Sequence, residues 1–229
     1  MMDNPPVEPT LPPVITIDGP GGSGKGTLAA ALANRLGWHL LDSGALYRIV
    51  GWAAQQRDIP LDDGPALAAM ALTLELRFDG AETWVDGIGA EAHIRTEEAG
   101  AAASHVAALP AVRSALDSVQ KSLRKPPGLV ADGRDMGTVV FPAAPLKIYL
   151  EASTQVRAER RHKQLKEKGS PASLRALLEA IEERDERDKR RAVSPLVPAE
   201  DAVILDSTAM TIDAVIDRAL ALAKDRRLV

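Results

Sequence analysis

Short apolar runs separated by longer amphipathic stretches set the rhythm of this chain. "VITID", from Val14 to Asp18, is β-branched and closes on glycines, as a buried strand does. After it, Leu28, Leu32 and Leu36 recur at helical spacing, and Gly37 stands where a helix stops. "WHLLD" (Trp38 to Asp42) predicts a second strand, and "SGALYRIVGWAAQQR" a helix capped by its leading Ser43. "GLVADGRD", "PLKIYLEAS" and "DAVILDS" supply three more strand-like runs. Strands alternating with helices in this way predict an α/β fold, a five-stranded parallel sheet flanked by helices.

The rhythm breaks between about Pro65 and His105. An alanine-rich helical piece, a hairpin from Leu74 to Asp86 around "DGAE" and a helix start near Thr96 predict a small inserted α+β segment, about 65–105. The proline-rich residues 1–13 read as a disordered leader with neither the basic nor the apolar region of a secretory signal. Residues 14–229 read as one domain. With 45% hydrophobic and 26% charged residues the composition is that of a soluble protein, and no apolar run is long enough to span a bilayer. A net charge of -4 supplies no general attraction for nucleic acid or an anionic membrane, so neither is expected as a partner. The absence of cysteine removes disulfides, thiolate metal sites and a cysteine nucleophile, and fits a cytoplasmic location. His39, His93, His105 and His162 lack metal-ligand spacing.

The stretch "GPGGSGKGT", Gly19 to Thr27, lies between the first strand and the first helix. Alone it could be a flexible turn; in that setting it reads as a phosphate loop. Gly19, Pro20, Gly21, Gly22, Ser23, Gly24, Gly26 and Thr27 would wrap the ATP phosphates, and Lys25 would reach the β- and γ-phosphates. Gly26 occupies the place of the usual metal-binding hydroxyl. The G-K-G-T form resembles the loop of the nucleoside monophosphate kinases, which implies a P-loop kinase fold and Mg²⁺ held mainly by phosphates and water, not directly by the protein. "VRAERRHKQLKEKG" gathers Arg157, Arg160 and Arg161 at the start of a long helix. Either they form a basic surface or, together, a helical lid, about 157–169, that brings positive charge to the transferring phosphoryl.

The blocks "LLDSGALYR", "IRTEEAGAAASHVAALPAVR", "ADGRDMGTVVFP", "ERDERDKRRAVSPL" and "ILDST", in this order, closely resemble the bacterial cytidylate kinases. The likeness implies transfer of the ATP γ-phosphoryl to CMP or dCMP by a protein expected to act as a monomer, and it places the insertion in the monophosphate-binding part. It puts Ser43 at the cytosine, Arg48 and Arg134 on the acceptor phosphate, and Asp135 against the base. It puts Arg113 on the base, Ser104 on the ribose, Arg184 and Asp188 on the ribose, and Arg191 near the base. Read without the family, Ser43 is a helix cap, Ser104 and Arg113 are helix-surface residues, and "ERDERDKRR" is a solvated helix with Glu183–Arg187 or Glu186–Arg190 ion pairs. Arg184, Asp188 and Arg191 nevertheless share one helix face, and "DGRD" sets two carboxylates around an arginine at a strand end. Asp18 and Asp132 are both candidates to orient metal-bound water. A kinase for UMP or a hydroxyl metabolite, and a nucleotide-binding switch, remain alternatives on the residues alone.

Overall fold

The computed structural model describes residues 11–79, 82–167, 169 and 173–229. Most of the proposed leader, two turn residues of the hairpin and Lys168 of the proposed lid lie outside them. In chain order the elements are β1 (Val14–Asp18), α1 (Lys25–Leu36), β2 (His39–Asp42), α2 (Ser43–Gln56), α3 (Gly64–Ala71), β3 (Leu76–Asp79), β4 (Glu82–Val85), β5 (Ile88–Gly89), α4 (Glu91–Ile94), α5 (Glu97–Val106) and α6 (Pro110–Ser122). They continue with β6 (Leu129–Gly133), a π-helical turn (Met136–Val140), β7 (Leu146–Glu151), α7 (Thr154–Glu167), α8 (Leu174–Lys189), β8 (Val203–Asp206) and α9 (Ile212–Asp225).

The five predicted strands form one parallel sheet in the order β2-β6-β1-β7-β8. β1 and β6 are buried along their whole length, which is why their sequences are apolar without a polar face. Alternation divides their side chains between two cores. Val14, Leu129 and Ala131 join α2, α3, α5 and α6 on one face; Ile15, Ile17 and Val130 meet α1 and α9 on the other. The same alternation sends Asp18 and Asp132, at the C-terminal ends of neighbouring strands, to opposite faces. Asp18 thus points to the π-helical turn, and Asp132 to the start of α1.

The segment proposed as an insertion, about 65–105, holds most of α3, the three-stranded antiparallel sheet β3-β4-β5, α4 and most of α5. β5 is a two-residue strand that the sequence pattern does not announce. One local reading is corrected. The cap of α2 is Asp42, whose carboxylate accepts from the Ala45 amide at 2.9 Å; Ser43 is the first helical residue and its hydroxyl donates to the Asp132 carbonyl at 2.8 Å. The π-helical turn begins where both Asp18 oxygens accept from the Met136 and Gly137 amides, each at 2.8 Å.

The insertion is held to the main body by α2 against α5. At their crossing a Cβ on Gly51 would lie 2.9 Å from the Ala102 Cβ, closer than carbon atoms pack. Gly51→Val is therefore expected to cost about 1–3 kcal/mol and lower the urea midpoint without changing its slope. A midpoint equal to that of the unaltered protein would show that the helices can separate at no cost.

Candidate functional site

The phosphate loop is built by omission. Gly24, at φ 94°, ends the loop in the left-handed region, and α1 begins with neither a side-chain cap nor an acidic residue in its first turn. Its leading amides are left for a ligand that carries negative charge. Gly19 is required by a close approach: a Cβ there would stand 2.1 Å from the Leu150 carbonyl oxygen of β7. Gly19 and Pro20 accordingly shape the loop without lining a cavity, whereas the backbone from Gly21 to Thr27 lines an open cleft of about 820 Å³.

Lys25 reaches from the loop into this cleft, its ammonium 3.2 Å from the Pro20 carbonyl. Burial and the positive charge of Arg134 pull its pKa down to about 8. On the same side Asp132 is pushed up, chiefly by burial, and its Oδ1 is buried without a hydrogen-bond partner. Asp18, also raised by burial, has both oxygens engaged by amides, so of the two carboxylates considered for metal-bound water Asp132 is the one with an unpartnered oxygen. Among the described residues no group of three potential metal ligands occurs.

The far wall of the cleft is apolar: Leu177 and Ile181 of α8 face Met210, Ile212 and Val215. Sequence reading missed this wall. Its signal was present, because Leu177, Ile181 and Arg184 stand at i, i+4 and i+7 of one helix face.

A second cavity, of about 270 Å³, adjoins the first across Gly21, Gly22, Lys25 and Gly26. Ser43, Arg48, Ser104, Arg113, Arg134, Asp135, Arg184 and Arg191 all line it, as do Tyr47 and Asp132. Ser104 and Arg113 are buried, not surface residues, because α5 and α6 turn these side chains inward. Arg113 pairs with Asp135 and lies 5.6 Å from the centre of the Tyr47 ring, so the pair is backed by an aromatic face. Arg48 donates to the carbonyls of Ile94 and Thr96 at 2.9 and 3.0 Å. Asp188 does not line the cavity. It lies behind it, 1% exposed, with one oxygen 2.9 Å from Arg134 Nε and the other on Arg191. Burial opposes its ionisation, yet Arg134 and Arg191 hold its carboxyl below the usual range.

Arg184 faces both cavities and has no such carboxylate of its own. Burial and the charge of Arg134 lower its pKa to about 10. Of the nine buried side-chain polar atoms without a partner among the described residues, five belong to residues lining the smaller cavity: Tyr47, Ser104, Asp132, Arg184 and Arg191. Such atoms are rare in folded chains, and their concentration marks a place where a polar ligand completes the bonding.

The three lid arginines divide. Arg160 and Arg161 line the larger cleft, Arg160 donating to the Ser23 and Ser207 carbonyls at 3.2 and 2.7 Å. Arg157, expected among the phosphoryl-facing residues, does not line this cleft. It is 3% exposed and donates to Asp185, Ala152, Gly21 and Thr154, which occupies all three of its nitrogens. Of the alternative surface pairs on α8, Glu186–Arg190 forms.

The family model described as Cytidylate kinase matches residues 15–225. A protein named Cytidylate kinase from Stutzerimonas stutzeri (strain A1501) is 55% identical over 222 residues, covering 94% of this chain and 97% of its own. One of that name from Bordetella bronchiseptica (strain ATCC BAA-588 / NCTC 13252 / RB50) is 56% identical over 208 residues, covering 91% and 93%. One from Klebsiella pneumoniae (strain 342) is 53% identical over 221 residues, covering 95% and 97%.

The depressed Lys25 pKa makes a testable demand. A phosphate beside the amine favours its charged form, so binding of Mg²⁺-free ATP near pH 8 is expected to draw in a proton, on the order of half a proton per site. Calorimetry in buffers of different ionisation enthalpy measures this uptake. It should vanish in Lys25→Met, and equal uptake by both proteins would place the titrating group elsewhere.

Proposed function

Because the chain belongs to the cytidylate kinase family, we propose that it transfers the γ-phosphoryl of ATP to CMP or dCMP, giving ADP and CDP or dCDP. The observation that carries this reading for the molecule itself is the pair of adjoining cavities. One has a phosphate loop and an apolar wall; the other is rich in guanidinium groups and in buried polar atoms without partners.

In this reading the amides from Gly21 to Thr27 and the Lys25 ammonium hold the donor phosphates, and the adenine lies against Leu177, Ile181 and Ile212. Arg48 and Arg134 hold the acceptor phosphate, with a guanidinium fork suited to two oxygens at once. Its anionic oxygen attacks the γ-phosphorus as the bond to the β-bridging oxygen breaks. The acceptor is already an anion, so no general base is required. The work of the protein is alignment and neutralisation of charge. Arg184, facing both cavities, stands beside the path of transfer, and Arg160 and Arg161 approach from the lid. Mg²⁺, when bound, would spread negative charge on the donor phosphates; Asp132, which lies beside the start of α1 and has one oxygen without a partner, is the residue that would hold it through water. At the base end Asp135 is an acceptor for the exocyclic amino group of cytosine, with Arg113 fixing its orientation. Ser43, whose hydroxyl donates to the backbone carbonyl of Asp132, keeps its oxygen lone pairs available. Arg191 and Ser104 complete that pocket.

ADP release measured with each nucleoside monophosphate in turn tests the proposal. CMP and dCMP should support rapid release, with kcat/KM for UMP lower by a factor on the order of 10² or more, because uracil would set an acceptor against a carboxylate. Asp135→Asn should lose most CMP activity while ATP affinity stays the same. Comparable rates with CMP and UMP, or ADP release that needs no acceptor, would overturn the assignment.

A further inference from the structure

The larger cleft, which must accept a polyanion, contains a carboxylate that the transfer reaction does not use. Arg161 of α7 is bonded across the cleft to Glu97, the first residue of α5: its Nε lies 2.7 Å from Glu97 Oε1 and its Nη2 reaches the same oxygen. Its remaining nitrogen donates to Gln164 at 3.2 Å. Both partners line the cleft. Of the other acidic residues there, Asp185 is committed to Arg157 and Glu167 belongs to the same helix as Arg161. Glu97 is therefore the carboxylate that meets the lid from the opposite arm.

Its attachment on that arm is firm. Just before Glu97, the carbonyls of Ile94 and Thr96 receive Arg48, Arg95 is paired with Asp42 at 2.8 Å and with Glu91 at 2.7 Å, and Thr96 caps α5. Four consecutive residues thus join an acceptor-pocket arginine, the end of β2 and the lid. Because the Glu97 carboxylate occupies a guanidinium that the ATP phosphates would also attract, the two anions compete for one cation.

Resting on the reading of this cleft as the ATP site, we propose that Glu97 is a positioning residue acting through Arg161: it holds the lid arginine toward the acceptor arm in the empty protein and yields it when the donor phosphates arrive. Donor binding then includes the exchange of one anionic partner for another, and the lid is tethered to the acceptor arm before either substrate is present. The pair is partly exposed, with side-chain exposures of 31% for Arg161 and 57% for Glu97, so its strength falls with added salt.

Calorimetric titration of the full chain with ATP, without acceptor, tests this at low and high salt. Glu97→Gln should bind ATP about two- to fivefold more tightly at low salt, with the gap closing at high salt, and amide exchange in α7 of the free variant should quicken. Glu98→Gln makes the same change of charge at the exposed neighbouring residue and should match the unaltered protein. Lost packing alone would not tighten binding. Equal or weaker ATP binding by Glu97→Gln, or equal tightening in Glu98→Gln, would overturn the latch while leaving the ATP site intact. Failure of the unaltered protein to bind ATP would overturn both.

Discussion

The arrangement of this site depends on the burial of one carboxylate between two guanidinium groups. Asp188 takes Arg134, from the loop after β6, on one oxygen and Arg191, just beyond α8, on the other. A single buried charge so placed fixes two arginines from different elements. Its own backbone carbonyl accepts from Leu196, tying the following segment to the same point. Removing the carboxylate from this cluster leaves two buried guanidinium groups without their counter-charge, at a cost of about 3–5 kcal/mol. Two further carboxylates each hold one arginine, Asp135 with Arg113 beside the smaller cavity and Asp185 with Arg157 at the start of α7. What these pairs leave over is as informative as what they satisfy. Arg184, between the two cavities, lacks a dedicated carboxylate, and a bound phosphate would supply the missing charge.

The sheet supplies the frame for these pairs. β1 and β6 are adjacent and end together, so the phosphate loop and the "DGRD" segment emerge side by side. The Asp18 carboxylate then bonds the Met136 and Gly137 amides, fixing the turn that follows Asp135. Arg157 closes the same unit from the lid side by donating to the Gly21 carbonyl of the loop at 3.0 Å. The phosphate loop, the wall of the smaller cavity and the start of α7 are therefore one bonded assembly, and the distal part of α7 is left to reach across the cleft.

The parallel sheet and the phosphate loop were legible in the sequence because both rest on local rules: apolar runs of strand length, and glycines between a strand and a helix. The site residues expected from the family-like blocks, apart from Asp188, are brought together by the structure around the smaller cavity. What local pattern could not supply was the partner of each charge. Arg157, Arg160 and Arg161 look alike in sequence, yet Asp185, nearly thirty positions away, converts the first into an anchor. Ser104 and Arg113 look like surface residues until the α2–α5 and α3–α6 packing buries them. Ser43 looked like the cap because hydroxyls commonly cap helices, but Asp42 reaches the free amide first and the β6 carbonyl takes the serine. Each miss came from a long-range partner competing with a local one.

A bound cytidine monophosphate would complete polar groups which the fold alone leaves unpaired. Thermal unfolding with and without nucleotide tests that claim without requiring turnover. At about a hundred times its dissociation constant a ligand that binds only the folded chain stabilises it by about 2.7 kcal/mol, a rise of roughly 5–10 °C for a chain of this size. CMP should produce a rise of this order, and UMP at the same concentration a much smaller one. An equal rise with the two nucleotides, or none with CMP, would contradict the account.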